Sequence, residues 1–248
     1  MTINNDSHSN NTSAQEVLAQ IIGARVSQPG DYSTPIAGLG LFRRDQPAPP
    51  VVCMVEPSII LVARGEKRLW VGGEGHRYNT AKFLITSLGV PANSEVLVAS
   101  PQQPCLGLTL KLDLRMLAEL IAQGGLPPSR DKAVGTSVGI SAATPALLAS
   151  FERLLALLAE PEAIPVLAPL MQREIHYRLL MSDQAARLRQ ITSVDGQGYR
   201  IAKAIDWLKL HYASPLRVEQ LAARVQMSAA TFHHHFRQLT AMSPLQYQ

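Results

Sequence analysis

Apolar residues recur at helical spacing in three successive segments near the end of the chain. In the first two segments they fall at i, i+3, i+4 and i+7, which places them on one face of an α-helix. Pro215 separates these two segments, because proline disfavours helix in the residue before it. Ser228, a residue type that caps helix N-termini, precedes the third segment. The apolar positions are Ile201, Ala204, Ile205, Leu208 and Tyr212, then Val218, Leu221, Ala222 and Val225, then Phe232, Phe236 and Leu239, with His235 in the last stripe.

The third segment carries a second stripe, and this stripe suggests a function. Ala230, His233, His234 and Arg237 recur at helical spacing and form a small, polar and basic face. A long helix, a short helix, a tight turn and a two-faced helix make a helix-turn-helix, whose last helix can lie in the major groove of DNA. On spacing alone, a small three-helix packing unit explains the pattern equally well.

The distribution of charge favours DNA binding. Residues 199–248 contain six basic and two acidic residues, so their net charge of +4 equals that of the whole chain. The preceding residues therefore sum to zero. A positive field confined to the candidate reading unit is what phosphate binding requires. The basic residues are Arg200, Lys203, Lys209, Arg217, Arg224 and Arg237.

The first half of the chain has the pattern of a β-domain. From Asp31 onward, short apolar runs alternate with Gly, Pro and Asn, as in a small antiparallel barrel or sandwich. We expect a hairpin turn at Gly65-Glu66 and a second turn at residues 72–75. The predicted strands cover residues 38–43, 58–64, 68–71, 82–86, 95–99 and 105–112.

Helical periodicity also predicts four helices outside the C-terminal unit. Two short ones cover residues 15–25 and 113–123. Two stronger ones follow the β-domain, and their apolar stripes are suited to an antiparallel pair against the sheet. These stripes are Leu147, Phe151, Leu154, Leu155 and Leu158, then Ile164, Leu167, Met171, Ile175 and Leu179.

Composition sets the broad class of protein. With 248 residues, of which 46% are hydrophobic, the chain can bury the cores of two domains. It has no apolar run as long as a membrane span and no signal-peptide pattern, so we expect a cytoplasmic protein. Residues 1–13 are rich in Asn, Ser and Thr and are expected to be disordered. Cys53 and Cys105 are expected to be small apolar strand residues, with a redox switch as the alternative.

A long, ordered motif supports the DNA-binding interpretation. It comprises residues 221–228 (Leu-Ala-Ala-Arg-Val-Gln-Met-Ser), Phe232, Phe236 and residues 243–247 (Ser-Pro-Leu-Gln-Tyr). This motif resembles the DNA-binding domain of AraC-type transcriptional regulators, which contains two helix-turn-helix units joined by a long helix. The resemblance implies a domain truncated after the first unit, at Gln248.

The comparison with that family also implies some weaknesses of the unit. His234 stands where the family usually has arginine, and Arg217 stands where it usually has a Ser or Thr N-cap. Without the joining helix, we expect a frayed Tyr247, a partly loosened unit, and weak, salt-sensitive DNA binding.

The β-domain carries the resemblance further. Residues 32–36 (Tyr-Ser-Thr-Pro-Ile), 56–58 (Glu-Pro-Ser) and 61–68 (Leu-Val-Ala-Arg-Gly-Glu-Lys-Arg) are similar to the N-terminal domain of one AraC-type subgroup. That domain is cupin-like, and the resemblance implies a jelly-roll barrel for effector binding and dimerisation. The two strong helices would form the dimer interface, while simple core packing remains the alternative for their apolar stripes.

A cupin-like barrel also suggests a metal enzyme, which the residues do not favour. Metal cupins place two histidines at i and i+2 on a strand, where they converge on one ion. Here His76 is the one histidine between residues 9 and 175, and its i+2 neighbour is Tyr78. The triplet at 233–235 would diverge by about 100° per helical residue. We therefore expect no metal, no cofactor and no enzyme, with a non-metal cupin enzyme as the weakest alternative.

The predicted fold is α+β and has four parts. A disordered tail and short helix (1–24) precede a cupin-like effector-binding barrel (25–140). A helical dimerisation region and linker (141–195, with the linker at 193–198) leads to the helix-turn-helix (199–248). We expect a homodimeric transcriptional regulator that binds promoter DNA and an unidentified small-molecule effector. The alternative is a ligand-binding, dimerising protein with weak or no specific DNA binding.

Helix geometry assigns a role to each predicted DNA-binding residue. His233 and His234 contact base edges, and Ala230 gives room or contacts a thymine methyl group. Ser228, Thr231 and Arg237 contact phosphates or flank the groove.

Overall fold

The chain folds as a curled antiparallel sheet followed by helices, in a computed structural model that describes residues 5–127, 135–193 and 196–248, with side chains from residue 14. The strands are β1 (Gly30–Ser33), β2 (Leu39–Arg44), β3 (Ala48–Val55), β4 (Ser58–Arg64), β5 (Glu66–Val71), β6 (Glu74–Asn79), β7 (Lys82–Thr86), β8 (Val90–Val98), β9 (Cys105–Lys111) and β10 (Val138–Ala142). The helices are α1 (Asn5–Gly23), α2 (Leu114–Ala122), α3 (Pro145–Ala156), α4 (Ile164–Leu180), α5 (Ala185–Thr192), α6 (Gln197–Leu210), α7 (Val218–Arg224), α8 (Ala229–Thr240) and α9 (Pro244–Tyr247), and a 3-10 turn (Leu157–Ala159) follows α3.

The sheet has the strand order β1-β2-β9-β4-β7-β6-β5-β8-β3, and β10 pairs with β7. Each strand pair in it is antiparallel, which confirms the predicted β-domain. The order has two ends, β1 and β3, so the sheet is a half-barrel. β3 is an edge strand that contains Pro49 and Pro50, which suits a position with one neighbouring strand.

The predicted hairpin at Gly65-Glu66 is wrong. β4 pairs with β7 and β9, whereas β5 pairs with β6 and β8, so the chain changes partners at Gly65. The φ of Gly65 is 91°, and a Cβ there would lie 2.6 Å from the carbonyl oxygen of Val98. A glycine is therefore required at this corner by both its backbone conformation and the close approach of β8. The true hairpin turn is Gly72-Gly73, between β5 and β6.

Two cores lie on opposite faces of the sheet. Along β4, Ile59 and Leu61 belong to a core that α1 to α5 cover, while Ile60 and Val62 belong to a second core. Both faces of β4 are buried, which explains its continuous apolar run. The second core continues without a break from the sheet into α6, α7 and α8, so the C-terminal unit is packed against the half-barrel.

The apolar stripe of α3 is core rather than a dimer surface. Leu147, Phe151, Leu154 and Leu155 are all buried against α1, α4 and the sheet. On α4 the predicted stripe is split, because Ile175 and Leu179 are buried while Leu167 is exposed. A different apolar face of α4 is exposed, and it consists of Val166, Leu167, Leu170, Tyr177 and Met181.

Other element boundaries also differ from the predictions. α1 begins at Asn5, although residues 1–13 were expected to be disordered; residues 1–4 lie outside the described part. Strands β1, β3, β6 and β10 and helix α5 were not predicted. The predicted linker at 193–198 includes residues 194 and 195, which also lie outside the described part. Tyr212 lies beyond the end of α6 and is 73% exposed, so it is not part of the apolar stripe.

A buried histidine ties α2 to α4. The Asp113 carboxylate caps α2 by accepting from the backbone N–H groups of Arg115 and Met116, at 2.9 and 3.0 Å. The N–H of Asp113 donates to Nε2 of His176 at 2.9 Å, and Nδ1 of His176 lies 2.7 Å from the carbonyl oxygen of Gln172. Nε2 accepts and Nδ1 donates, so the imidazole is neutral in the folded chain.

We expect stability to fall as the pH is lowered through the histidine range, because burial lowers the pKa of His176. A histidine in the unfolded chain has a pKa of about 6.5, so below that pH the unfolded chain binds the proton first. Stability is then lost by at most about 1.4 kcal/mol per pH unit until the folded-state pKa is reached. Urea unfolding between pH 7.5 and pH 5 measures this slope.

The substitution His176→Gln keeps a hydrogen-bond acceptor but does not titrate, so it should make this part of the profile less steep and leave the contribution of His76, whose pKa burial also lowers. His235→Gln, at a half-buried position of α8, is the matched control for the removal of a histidine. An unchanged slope in the His176→Gln variant would show that another group titrates.

Candidate functional site

A cavity of about 320 Å³ opens inside the curl of the sheet. Its apolar walls come from strands β2 to β5, whose alternating residues point inward. Its polar groups come from β1, β2, β3, β4, β5, β6, β8 and β9, and from Glu56 in the connection between β3 and β4. The apolar lining residues are Phe42, Met54, Val55, Ile60 and Leu69, and the polar or charged ones are Asp31, Arg44, Cys53, Glu56, Ser58, Lys67, Tyr78, Ser94, Thr109 and Lys111.

Lys67 is the one buried cation in this lining. Lys67 shares the inner face of β5 with Leu69 and Val71, because every second side chain of a strand points to the same side. Glu66, Arg68 and Trp70 lie on the other face and are more exposed. Its side chain is buried, with a residue exposure of 7%, and its Nζ lies 4.4 Å from the centre of the Phe42 ring. Desolvation lowers the pKa of Lys67, and the neighbouring positive charge of Arg44 lowers it further.

Both cysteines lie near this lysine. Cys105 is buried in β9 and Cys53 is half-buried in β3, and both are free thiols in strands, as expected from the sequence. Burial raises the pKa of both thiols, although the charge of Lys67 opposes this shift. The neutral thiol is therefore favoured at both positions, which argues against the redox alternative.

The C-terminal unit consists of the successive helices α6, α7 and α8, which share one core, followed by the short helix α9. Phe232 and Phe236 of α8 are fully buried, with ring centres 5.4 Å apart, and they pack with α6 and α7. Ser228 caps α8 by accepting from the N–H of Thr231 at 3.2 Å. Arg217 occupies the N-cap of α7 without a side-chain hydrogen bond, as the atypical residue there predicts.

The six sequence-predicted DNA-binding residues are all exposed. Ser228, Ala230, Thr231, His233, His234 and Arg237 lie at the start of α8 or along its outer face. The hydroxyl of Ser228 also donates to the Thr231 hydroxyl at 2.8 Å, so these two side chains hold each other in place. The apolar stripe faces the core and the polar stripe faces outward, as a reading helix requires.

One of the basic residues counted in the C-terminal unit faces the sheet instead of outward. The ammonium group of Lys209 on α6 pairs with both carboxylate oxygens of Glu56, at 3.0 and 2.8 Å. Glu56 also lines the cavity. A single carboxylate therefore borders both the cavity and the joint between the half-barrel and the C-terminal unit.

Two further hydrogen bonds join these parts. The N–H of Ser137 donates to the carbonyl oxygen of Leu239 at 2.7 Å, and the hydroxyl of Tyr247 donates to the carbonyl oxygen of Gly89 at 2.6 Å. At the same surface, the Gly72 turn packs directly against Ala241, just after α8.

The expectation of a frayed Tyr247 is wrong. Its side chain is 6% exposed, and its ring packs edge-on against Phe236 with the centres 5.5 Å apart. Ser243 and Gln246 form a capping box that holds the short helix α9. Tertiary contacts with the half-barrel thus stabilise a helix that is too short to persist alone.

The described residues contain no cluster of three or more metal-ligating side chains. His76 stands on β6 opposite Leu69 of β5. None of the helices in the described ranges is long and apolar enough to cross a membrane.

Comparison with models of protein families identifies the family of this chain. A family model described as AraC-type transcriptional regulator N-terminus matches residues 35–187, more than half of the chain. The protein therefore belongs to the AraC-type transcriptional regulators, a family of regulators rather than enzymes. None of the curated proteins matches its sequence.

Solved structures show a distant likeness. Fatty-acid-bound ToxT from Vibrio cholerae is 9% identical with a TM-score of 0.40, and the match covers 84% of this chain and 93% of ToxT. An apo form of a ToxT point variant from the same organism is 7% identical with a TM-score of 0.38, covering 87% and 98%. The AraC-like activator CuxR is 13% identical with a TM-score of 0.36, covering 81% and 70%. These TM-scores are too low for the superpositions to support a conclusion about function.

Sequence reasoning missed Lys67 and the joint formed by Glu56 and Lys209. The spacing of Lys67, Leu69 and Val71 at every second position was a usable signal, because it placed a lysine on the apolar face of a strand. The Glu56–Lys209 pair links residues 153 positions apart, and nothing in the local pattern indicates it.

Proposed function

We propose that this protein is a DNA-binding transcriptional regulator that responds to a small molecule held in the cavity of its half-barrel. The observation that carries the proposal is the two-faced helix α8. Its apolar stripe is buried against α6 and α7, and its basic and polar stripe is exposed. This arrangement presents side chains to the major groove without disturbing the core of the unit.

The roles within α8 follow from chemistry. His233 and His234 donate or accept hydrogen bonds at base edges, and Ala230 leaves room for a thymine methyl group. Arg237, Ser228 and Thr231 contact phosphates, which position the helix without specifying sequence. A histidine lacks the bidentate fork of arginine, so each base contact is weaker than an arginine contact.

The test begins with duplex DNA selected from a random pool by the full chain, since the operator is unknown. The Arg237→Ala variant should bind all sequences more weakly and show a salt slope reduced by about one. The His234→Ala variant should lose about 1–3 kcal/mol on the selected sequence and little on unrelated DNA. Fluorescence anisotropy at several salt concentrations measures both effects.

Gln220→Ala, an exposed change on α7 away from α8, is the control and should bind like the parent chain. Failure to enrich any sequence, or equal binding by all three variants, would favour a ligand-binding protein without specific DNA recognition.

We also propose a homodimer, formed through the exposed apolar face of α4. Val166 and Leu170 on this face are 68% and 62% exposed. Exposed apolar side chains that recur on one face of a helix are suited to self-association. Because the stripe of α3 is occupied by the core, the α4 face takes the role first assigned to both helices.

The dimer proposal predicts that Leu170→Glu gives a monomer in sedimentation at micromolar concentration, because a buried charge opposes association. Leu245→Glu changes a residue of nearly equal exposure, 65%, on α9 and should stay dimeric. A parent chain that sediments as a monomer, or two variants that behave alike, would contradict an α4 interface.

A further inference from the structure

The cavity contains a buried positive charge that the fold leaves without an anion. Among the described residues, the ammonium group of Lys67 takes part in no ion pair or hydrogen bond, and it lies over the ring of Phe42. Burying an ammonium group in an apolar site is costly unless an anion accompanies it. A ligand anion at this position would therefore supply an interaction that the protein does not provide for itself.

The neighbouring charges do not fill this role. Asp31 is a carboxylate in the lining whose charge acts on Lys67, but both of its oxygens accept from Nη2 of Arg44 at 2.8 Å. Glu56, the other carboxylate in the lining, is paired with Lys209. Asp31 and Glu56 are thus each paired with another cation. The charge of Lys67 has no counterion among the described residues.

The rest of the cavity specifies an amphipathic ligand. Phe42, Val55, Ile60 and Leu69 form apolar walls, and Lys67 lies on the same inner face of β5 as Leu69. The volume of about 320 Å³ is at the small end of ligand sites. An apolar body with one anionic end satisfies both the walls and the cation.

We propose that the cavity binds a small amphipathic carboxylate, with the Lys67 ammonium group as the partner of the carboxylate. This inference rests on the proposed effector-binding role of the cavity, and it adds the chemical class of the effector. No covalent step is involved, because the ligand is held by an ion pair and by apolar contacts.

The test uses matched probe pairs on the full chain: butyrate, octanoate and benzoate, each beside the alcohol of the same skeleton. At least one carboxylate should bind in isothermal titration at least tenfold more tightly than its alcohol. Lys67→Met, an apolar replacement of similar length, should weaken that carboxylate tenfold or more and leave the alcohol unchanged. Lys111→Met, at an exposed position of the same lining, should change the affinity less than threefold.

A stability measurement guards against misfolding. Removal of an unpaired buried charge should leave the melting temperature of Lys67→Met equal to or above that of the parent chain. Three results would overturn the proposal: no carboxylate binds, an alcohol binds as tightly as its carboxylate, or Lys67→Met retains the affinity. Borohydride trapping of octanal on Lys67, with no binding of octanoate, would instead identify a carbonyl ligand.

The two proposals fail in different assays. Carboxylate binding without enrichment of DNA from the random pool would remove the regulator function and keep the anion site. Enrichment of DNA without carboxylate binding would do the reverse.

Discussion

Replacement of Gly72 by alanine should release the C-terminal unit, helices α6 to α9, from the half-barrel, while the same change at Gly73 should leave it docked. A Cβ on Gly72 would lie 2.7 Å from the carbonyl oxygen of Ala241 and closer still to its Cβ. In the described part of the chain, no heavy atom outside the adjacent residues lies within 4 Å of a Cβ on Gly73. Both glycines have positive φ, 57° and 88°, so the two changes add comparable backbone strain.

The difference in docking between the Gly72→Ala and Gly73→Ala variants therefore measures the effect of the contact with Ala241, not the effect of strain in the turn. Hydrogen exchange is the measurement, because it resolves local opening from global unfolding. In Gly72→Ala the amides of residues 239–248 should lose protection while those of β4 and β9 keep it. Equal protection in both variants would mean that the Gly72 turn does not hold the unit.

Tyr247→Ala should destabilise the C-terminal unit by about 3–5 kcal/mol, the usual cost of removing a buried aromatic side chain. The ring packs against Phe236, and its hydroxyl donates to the Gly89 carbonyl in the half-barrel. Tyr247→Phe keeps the ring and removes only the hydrogen bond, so it should cost about 0.5–1.5 kcal/mol. The two variants separate packing inside the unit from attachment to the sheet.

Urea unfolding followed by Trp207 fluorescence, in a Trp70→Phe background, measures both variants in the relevant unit. Trp207 lies on α6, stacked on His211 with the ring centres 4.3 Å apart. If Tyr247→Ala lowered the free energy of unfolding by less than about 1 kcal/mol, the result would support the frayed terminus expected from the sequence.

The elements that were predictable are those with one buried face. The stripes of α7 and α8 were visible because their periodicity is set by a single core, and Ser228 marked the start of α8 through its capping bond. Asp113, the first residue of the predicted helix at 113–123, is the N-cap of α2 in the structure. β3, in contrast, is an exposed edge with Val51 and Val52 60% and 81% exposed, so alternation was absent there.

The pairing of the strands and the docking of the C-terminal unit were less predictable, because both depend on residues that are distant in the sequence. The run from β4 to β5 has the local chemistry of a hairpin, yet the partners of each strand lie elsewhere in the sheet. The outer face of α8 was found from spacing alone, whereas the position of that helix relative to the half-barrel was not. The exposed face of α4 was also missed, since Pro165 and Pro169 interrupt its pattern without breaking the helix.

Glu56 belongs both to the lining of the cavity and to the joint between the half-barrel and the C-terminal unit. If an occupant of the cavity changes the free energy of the Glu56–Lys209 pair, it changes the docking equilibrium of the C-terminal unit by the same amount. The relation is reciprocal: DNA that prefers the undocked unit would alter the affinity of the cavity by the same factor with which the occupant alters DNA affinity. A titration of either ligand in the presence of the other would therefore yield one coupling constant, whichever is varied.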